Sequence, residues 1–505
     1  VSLYFFQKFR TMKLKQNVVV YSGQSGAQKV NMVLADAINL VRQLNTDVTK
    51  YVVPSLCLRE VDRRLQNPHK LRVLQPVADL LIKRGFMKSE TLKKIVDESG
   101  SKQVFKKAID RVVDLTSVSS IFEPDHGLFR EVVRRTWLSF FASSTTDGIF
   151  LDVMLDFINW KASSGLPDLV KKRTIFRKMR QFALSLINGS ASDLAFFFSL
   201  PTLLFTRSQI KKGVFKRRMV FGYPGFVTVA EAYFFSRVLG YFSVSRTPYV
   251  TSITQEEIGK LLSGHSDRYC YCGDFSKFDL RLPLHLSSVA FTLIKRSFPN
   301  FSAFESDLFD KVVKYFLKSE AYHALCGYIP RKRGVPSGSM FTNFVDSICC
   351  YMIVMYGMLE QGVVDADVYV HGDDFVVFSK QRVNAQLFMK SSAKFGMVLN
   401  SDDEFTSDPG VDEAVFLGSQ WINGKPFRSF ENMALQASTY SGRLPEMDDK
   451  SMIESRIISC FGYDSRLDIV LTRLGIKPAS GRYFFHVDVG GSVLTGSRPE
   501  MRKRG

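Results

Sequence analysis

Apolar residues recur every three or four positions along Val30–Leu44 and Glu90–Val113, which predicts that the first 140 residues are mostly helical. Further on the period shortens. Val368 and Val370 alternate with polar or aromatic neighbours, Gly372-Asp373 supplies a tight turn, and Phe375–Phe378 is a second β-rich run. This is the pattern of a β-hairpin with its turn residues at the tip. Upstream, Tyr271-Cys272-Gly273-Asp274 reads as the end of a strand, and Asp279 stands near a strand-to-helix turn. After Pro283, Leu286, Val289, Ala290, Leu293 and Ile294 predict a helix over Leu284–Phe298. A glycine-punctuated loop, Gly334–Thr342, leads into an apolar helix from about Phe344 to Leu359. Ile422–Arg428 reads as a turn, and a small, mostly helical unit is expected from Asn432 onward. The apolar run Leu194–Phe205 is broken by Ser199 and Pro201, so no stretch reaches the 18 or so residues of a membrane span. The chain has neither internal repeats nor low-complexity blocks.

Composition narrows the picture. A chain of 505 residues with 45% hydrophobic and 23% charged positions is a folded protein, too long for one ordinary core, and about two or three subdomains around a cleft are expected. The 68 Lys and Arg exceed the 49 Asp and Glu, for a net charge of +19. Such a surplus favours a polyanion, because each cation facing a phosphate releases condensed counterions; a generally basic surface would show the same number. The clusters Arg59/Arg63/Arg64, Lys106/Lys107/Arg111 and Arg130/Arg134/Arg135 are each a solvated helix face, and together they could line a channel. Seven scattered cysteines argue for a reducing compartment and against a disulfide framework. Cys270 and Cys272 have no second pair at zinc spacing and read as strand residues. The opening residues have no signal-peptide pattern, and the start on Val1 fits an incomplete reading frame or a processed product.

The chemistry lies at the hairpin tip. Asp374 directly after Asp373 brings two negative charges together, which costs stability unless a cation neutralises them. Gly-Asp-Asp arises by chance in roughly one chain in ten of this length, so the hairpin alone does not decide. The loop Gly334–Thr342 exposes backbone N–H groups and hydroxyls that suit a phosphate or a sugar, or it is simply a loop with a helix cap. The chain has no P-loop pattern, which excludes that class of nucleotidase.

These elements, in this order, resemble the palm motifs of viral RNA-dependent RNA polymerases. Asp274 and Asp279 match the D-x4-D of the first motif, Ser337, Gly338 and Thr342 the S-G-x-x-x-T of the second, and Gly372, Asp373 and Asp374 the G-D-D of the third. The style of the last two looks closest to partitiviruses and picobirnaviruses. Lys216 and Arg218 resemble the basic fingers motif that grips the triphosphate, and Ser164, Gly165 and Pro167 the short motif that guides the template. Phe395–Leu399 and Phe416–Ser419 are similar to the fourth palm motif and to the hairpin that supports the primer end.

The resemblance implies an α+β right-hand fold: N-terminal region and fingers over 1–234, palm over 235–280 and 335–425, a fingers insertion at 281–334, and thumb and tail over 426–505. It implies two Mg²⁺ ions, with Mn²⁺ as a substitute, held by Asp274, Asp373 and Asp374. Template RNA, nascent RNA and NTPs are the expected partners, a viral capsid protein is admitted as another, and the host cytoplasm or the virion is the expected place. Two departures stand out. Where many relatives carry Asn, this chain has Asp346; it or Asn343 joins Asp279 and Ser337 in sensing the ribose 2′-hydroxyl. The usual lysine of the fourth motif is absent from Asn400–Glu404, leaving Lys390, Lys394 or water to protonate pyrophosphate. A reverse transcriptase and a non-catalytic RNA-binding protein on a decayed polymerase fold are the alternatives.

Overall fold

The computed structural model describes residues 26–46, 50–65, 70–141, 151–476, 483–487 and 493–497, leaving aside 192, 243–246, 252, 299, 401–403 and 441–447. At its centre is a four-stranded antiparallel sheet in the order Asp367–His371, Asp374–Ser379, Tyr269–Gly273, Phe405–Ser407. The first two strands are the predicted hairpin. His371 pairs with Asp374 across the Gly372-Asp373 turn, and Gly372 stands at φ +65°, a region that a Cβ disfavours. Alternation sorts the remaining side chains. Tyr271, Phe375 and Val377 enter the main core, while Cys270, Cys272, Val376 and Phe378 face Ala414, Phe416 and Trp421. Burial on both faces explains the unbroken apolar run at 375–378.

The helix Thr342–Glu360 packs against this sheet and is buried at every position from Phe344 to Met358. A helix apolar all round belongs in the middle of a fold. Its length and composition would also suit a membrane span, yet 83% of its apolar window is buried inside the protein. Helices His126–Phe141, Gly225–Phe242, Leu284–Ser297 and Ala303–Lys318 complete the main core, where Phe291, Phe309, Phe316 and Phe341 meet largely edge to face.

The helical reading of the N-terminal part holds with one correction. Gly26–Thr46 is a single helix, but the periodic stretch Glu90–Val113 is two, Ser89–Ser99 and Lys102–Ser117. Gly100 closes the first, and Ser101 caps the second by accepting from the Val104 N–H at 3.3 Å. Apolar spacing runs nearly in phase across that joint and hides it.

A long hairpin, Thr202–Lys211 with Val214–Gly222, pairs through Thr202 and Leu203 with the short strand Ala321–His323. Beyond the central sheet, Glu413–Phe416, Ser419–Ile422 and Lys425–Phe427 form a three-stranded sheet, with both predicted turns in place. The C-terminal unit is helical over Phe430–Ser438, Asp449–Phe461 and Leu467–Leu474, and then adds an antiparallel hairpin, Tyr483–Val487 with Val493–Ser497, that the helical expectation lacks. The basic stretch 498–505 lies outside the described residues. Leu81 and Ile95 from the N-terminal part share a core with Leu435, Ile457, Phe461 and Leu471, and Arg72 and Val73 pair with Tyr440 and Thr439. A stretch that the sequence reading places in the N-terminal region thus packs with the C-terminal one.

Candidate active site

Strand register brings the carboxylates together. Gly273 pairs with Phe375, so Asp274, the next residue out, emerges beside Asp374 at the hairpin tip. Gly273 cannot be larger: a Cβ there would lie 2.7 Å from the Phe375 ring. Asp373 and Asp374 feel this crowding strongly. Desolvation, followed by the charges of Asp374, Asp274 and Asp279, pushes Asp373 up to about 7. Desolvation and Asp274 push Asp374 up to about 6, with Lys211, Lys212 and Arg428 opposing. As the side chains stand, no three His, Cys, Asp or Glu among the described residues are gathered tightly enough to hold an ion. Asp274 is turned toward Lys211, whose Nζ lies 3.9 Å from its Oδ2.

The opposite wall is cationic. On the strand Val214–Gly222, Lys216 and Arg218 share one face because strand side chains alternate. Arg217 between them points the other way, where it is buried against Phe105 and Phe215 and donates to the Ser99 carbonyl. Burial and then the charges of Lys211, Arg218 and Lys212 lower the Lys216 pKa, with Asp274 opposing. Burial raises the Asp279 carboxyl, and the Arg218 guanidinium pulls it back down. Lys211 and Lys212 at the tip of the hairpin are therefore part of the site, although the sequence reading did not name them. A signal for them was present in Lys211-Lys212-Gly213, a turn between two β-rich runs, with Lys212 at φ +54° and Gly213 at φ +73°. Arg428 was missed as well; its guanidinium lies 5.0 Å over the Tyr463 ring, with Asp374 among the charges acting on it.

The loop Gly334–Thr342 docks on this basic strand. Ser337 Oγ accepts from the Phe221 N–H at 3.2 Å, and a Cβ on Gly338 would lie 1.8 Å from the Phe221 carbonyl oxygen, so only glycine fits. Thr342 donates its hydroxyl proton to the Pro336 carbonyl at 2.7 Å and so braces the loop from within. Of the two candidates for the 2′-hydroxyl, Asn343 has its side-chain oxygen engaged by the Tyr249 hydroxyl at 2.8 Å. Asp346 is buried with Oδ1 unpartnered; burial first, then Asp279 and Asp373, raise its carboxyl well above the usual range.

In the region of the proposed template motif, Ser164 is buried and its Oγ accepts from the Val170 N–H at 3.1 Å. Gly165 has φ +58°, and a Cβ on it would lie 2.5 Å from the Tyr223 carbonyl oxygen. The Pro167 carbonyl accepts from Cys57 Sγ at 2.9 Å. These residues shape the loop, and Ser164 does so with its hydroxyl turned inward. Lys394, one candidate acid for pyrophosphate, is instead ion-paired with Glu360 and lies over the Tyr356 ring.

Antiparallel sheet, carboxylate tip and cationic hairpin together define a nucleotidyltransferase cleft, and residues 155–432 match the family described as viral RNA-dependent RNA polymerase. The chain belongs to that family and is an RNA-directed RNA polymerase. Over 414 residues it is 25% identical to the RNA-directed RNA polymerase of Cryptosporidium parvum virus 1 (strain KSU-1), covering 74% of this chain and 75% of that one. The crystal structure of the RNA-dependent RNA polymerase of a human picobirnavirus superposes with a TM-score of 0.57 at 14% identity, covering 93% of this chain and 86% of that one. Its insertion-loop deletion mutant gives 0.57 at 15% identity, with 94% and 91% covered. At such identities the structural likeness speaks for the fold, which is the right-hand α+β architecture. The reverse-transcriptase and decayed-fold alternatives find no support.

Proposed function

We propose that this polymerase joins NTPs to an RNA 3′ end through a centre built on Asp274, Asp373 and Asp374, with two Mg²⁺ ions, or Mn²⁺ in their place, as its cofactor. The observation that carries the reading is the crowding of Asp373 and Asp374 beside Asp274, which raises the first two carboxyls, in a cleft whose other wall is cationic. An all-oxygen donor set of this kind suits hard divalent cations. Bound there, such ions acidify the attacking hydroxyl and neutralise charge on the leaving pyrophosphate.

The rest of the work falls to the chain's own groups. Lys216 and Arg218, joined by Lys211 and Lys212, hold the triphosphate electrostatically and orient it for in-line attack. Asp279, Ser337 and Asp346 face the sugar. Asp346 is preferred to Asn343 because its oxygen is unpartnered whereas that of Asn343 is already engaged. Gly338 and Thr342 act by shaping the loop that presents Ser337. Ser164, Gly165 and Pro167 shape the loop along which the template passes. All seven cysteines are free, which suits work in the host cytoplasm or within a virion.

The deciding experiment is primer extension on a short RNA template with Mg²⁺ and, separately, Mn²⁺, wild type beside Asp373→Ala. Template-dependent ribonucleotide incorporation, lost in the variant while RNA binding and folding persist, is the expected result. An Asp373→Ala protein that fails to fold would remove Asp373 from the metal-binding role.

A further inference from the structure

The most thoroughly enclosed carboxylate beside the cleft is one that the chemistry above does not use. Glu231 lies on the helix Gly225–Phe242 with no solvent exposure. Both of its oxygens are directed at the loop that carries Ser337 and Gly338. Oε1 accepts from the Ser339 hydroxyl at 2.5 Å, and Oε2 accepts from the Met340 N–H at 2.9 Å. Ser339 in turn accepts from the Phe341 N–H at 3.1 Å. The carboxylate therefore clamps two consecutive residues immediately after Gly338.

The charge of a second buried group also acts on this carboxylate. Lys172, buried at the end of the loop 162–172, is the cation whose charge acts on Glu231. The Lys172 N–H donates to the Ala162 carbonyl at 3.0 Å and closes that loop. The Gly225 N–H, at the start of the Glu231 helix, donates to the Ser164 carbonyl at 2.6 Å. The two loops even rest on one short stretch of chain: Gly338 sits over the Phe221 carbonyl and Gly165 over the Tyr223 carbonyl. Burial lifts the Glu231 carboxyl to about 8 despite its bonds to Ser339 and Met340, and burial lowers the Lys172 ammonium to about 8. A group this costly to bury is expected to have a specific task.

We propose that Glu231 is the positioning residue that holds the 337–340 loop in its sugar-reading arrangement, and that Lys172 links this hold to the template-side loop 162–172. The proposal rests on the reading of Ser337 as a sugar-facing residue. A buried hydrogen bond of this kind carries enough energy for its loss to change a population about tenfold. The plain alternative is that Glu231 only fills and ties the core.

The test measures kcat and KM for a ribonucleotide and for its 2′-deoxy analogue, with thermal unfolding alongside, in Ser337→Ala, Ser339→Ala, Glu231→Gln and Lys172→Met. Ser339→Ala and Glu231→Gln are expected to lower the ribo-to-deoxy ratio of kcat/KM by about five- to tenfold, mainly through KM, with Lys172→Met smaller and non-additive with Glu231→Gln. If Ser337→Ala lowers the ratio while Ser339→Ala and Glu231→Gln shift only the unfolding temperature, the positioning role is wrong and the loop reading stands. If Ser337→Ala leaves the ratio unchanged, the loop reading itself fails. Full additivity of Lys172→Met with Glu231→Gln would overturn the link to the template side. Should Glu231→Gln fail to fold, Ser339→Ala, which removes one hydroxyl, decides the positioning role alone.

Discussion

Two groups of carboxylates in this protein are treated in opposite ways. At the rim of the core, half-buried Glu305 accepts from Arg237 at 2.9 Å and from Ser302, and Arg237, 2% exposed at its side chain, lies 4.8 Å over the Phe298 ring. Burial pushes the Glu305 carboxyl up, but these bonds outweigh it and the net shift is downward. In the cleft, Asp373 and Asp374 are desolvated beside Asp274 and are shifted upward to about 7 and about 6. At Glu305 the protein supplies the partners that an architectural anion needs. Where it needs one for a ligand, it leaves the charge incompletely matched, and folding bears the strain until the ligand arrives.

Asp373→Asn breaks the comparison most sharply. It is expected to cut nucleotide incorporation on the order of a thousandfold while raising the melting temperature of the metal-free protein, because one crowded charge is gone. Primer extension paired with calorimetry checks both signs, and a fall in melting temperature would show that the cleft carboxylates are satisfied after all. Arg237→Met is the mirror case. Leaving the half-buried Glu305 without its cation should lower the melting temperature, with activity per folded molecule retained. A smaller effect is expected from divalent cations alone: Mg²⁺ or Mn²⁺ at a hundredfold excess over its dissociation constant should stabilise the wild type by about 2.7 kcal/mol and should do little for Asp373→Asn.

The shallowest effect concerns pH. Glu231, with Lys172, Tyr223 and Tyr315 as its ionisable neighbours, is lifted from an ordinary 4.5 to about 8. A raised carboxyl contributes stability that is fully present below its unfolded value and is lost as pH climbs through the folded one. The wild-type melting temperature should thus fall between about pH 4.5 and 8 more steeply than that of Glu231→Gln. Parallel curves would remove Glu231 from the titrating groups.

What the sequence disclosed follows the range of the interactions concerned. The 367–379 hairpin was legible because its alternation and its Gly372 turn are local, and the helices 284–297 and 342–360 because apolar periodicity is local too. That Asp274 would meet Asp373 was legible only through the family motifs, since no local rule sets the pairing of Gly273 with Phe375. Lys216 and Arg218 could be picked out, but the inward role of Arg217 depends on Phe105 and Ser99 far upstream. Glu231 could not be seen at all. In Val229-Ala230-Glu231-Ala232 it is a lone polar residue among apolar neighbours, and the hydroxyl it binds lies 108 positions away.

That distance has a counterpart in time. The packing of Leu81 and Ile95 with Leu435, Ile457 and Phe461 joins surfaces far apart in the chain and so made at different times during translation. At ribosomal speeds of about 5–20 residues per second, the early helices wait on the order of a minute or less for the later ones to emerge. Throughout that interval the apolar face of the early helices lacks its C-terminal partners. A nascent chain so arranged needs either a chaperone to shield that face or a temporary partner from its own early helices, and its yield in a heterologous host should depend on which of these the host supplies.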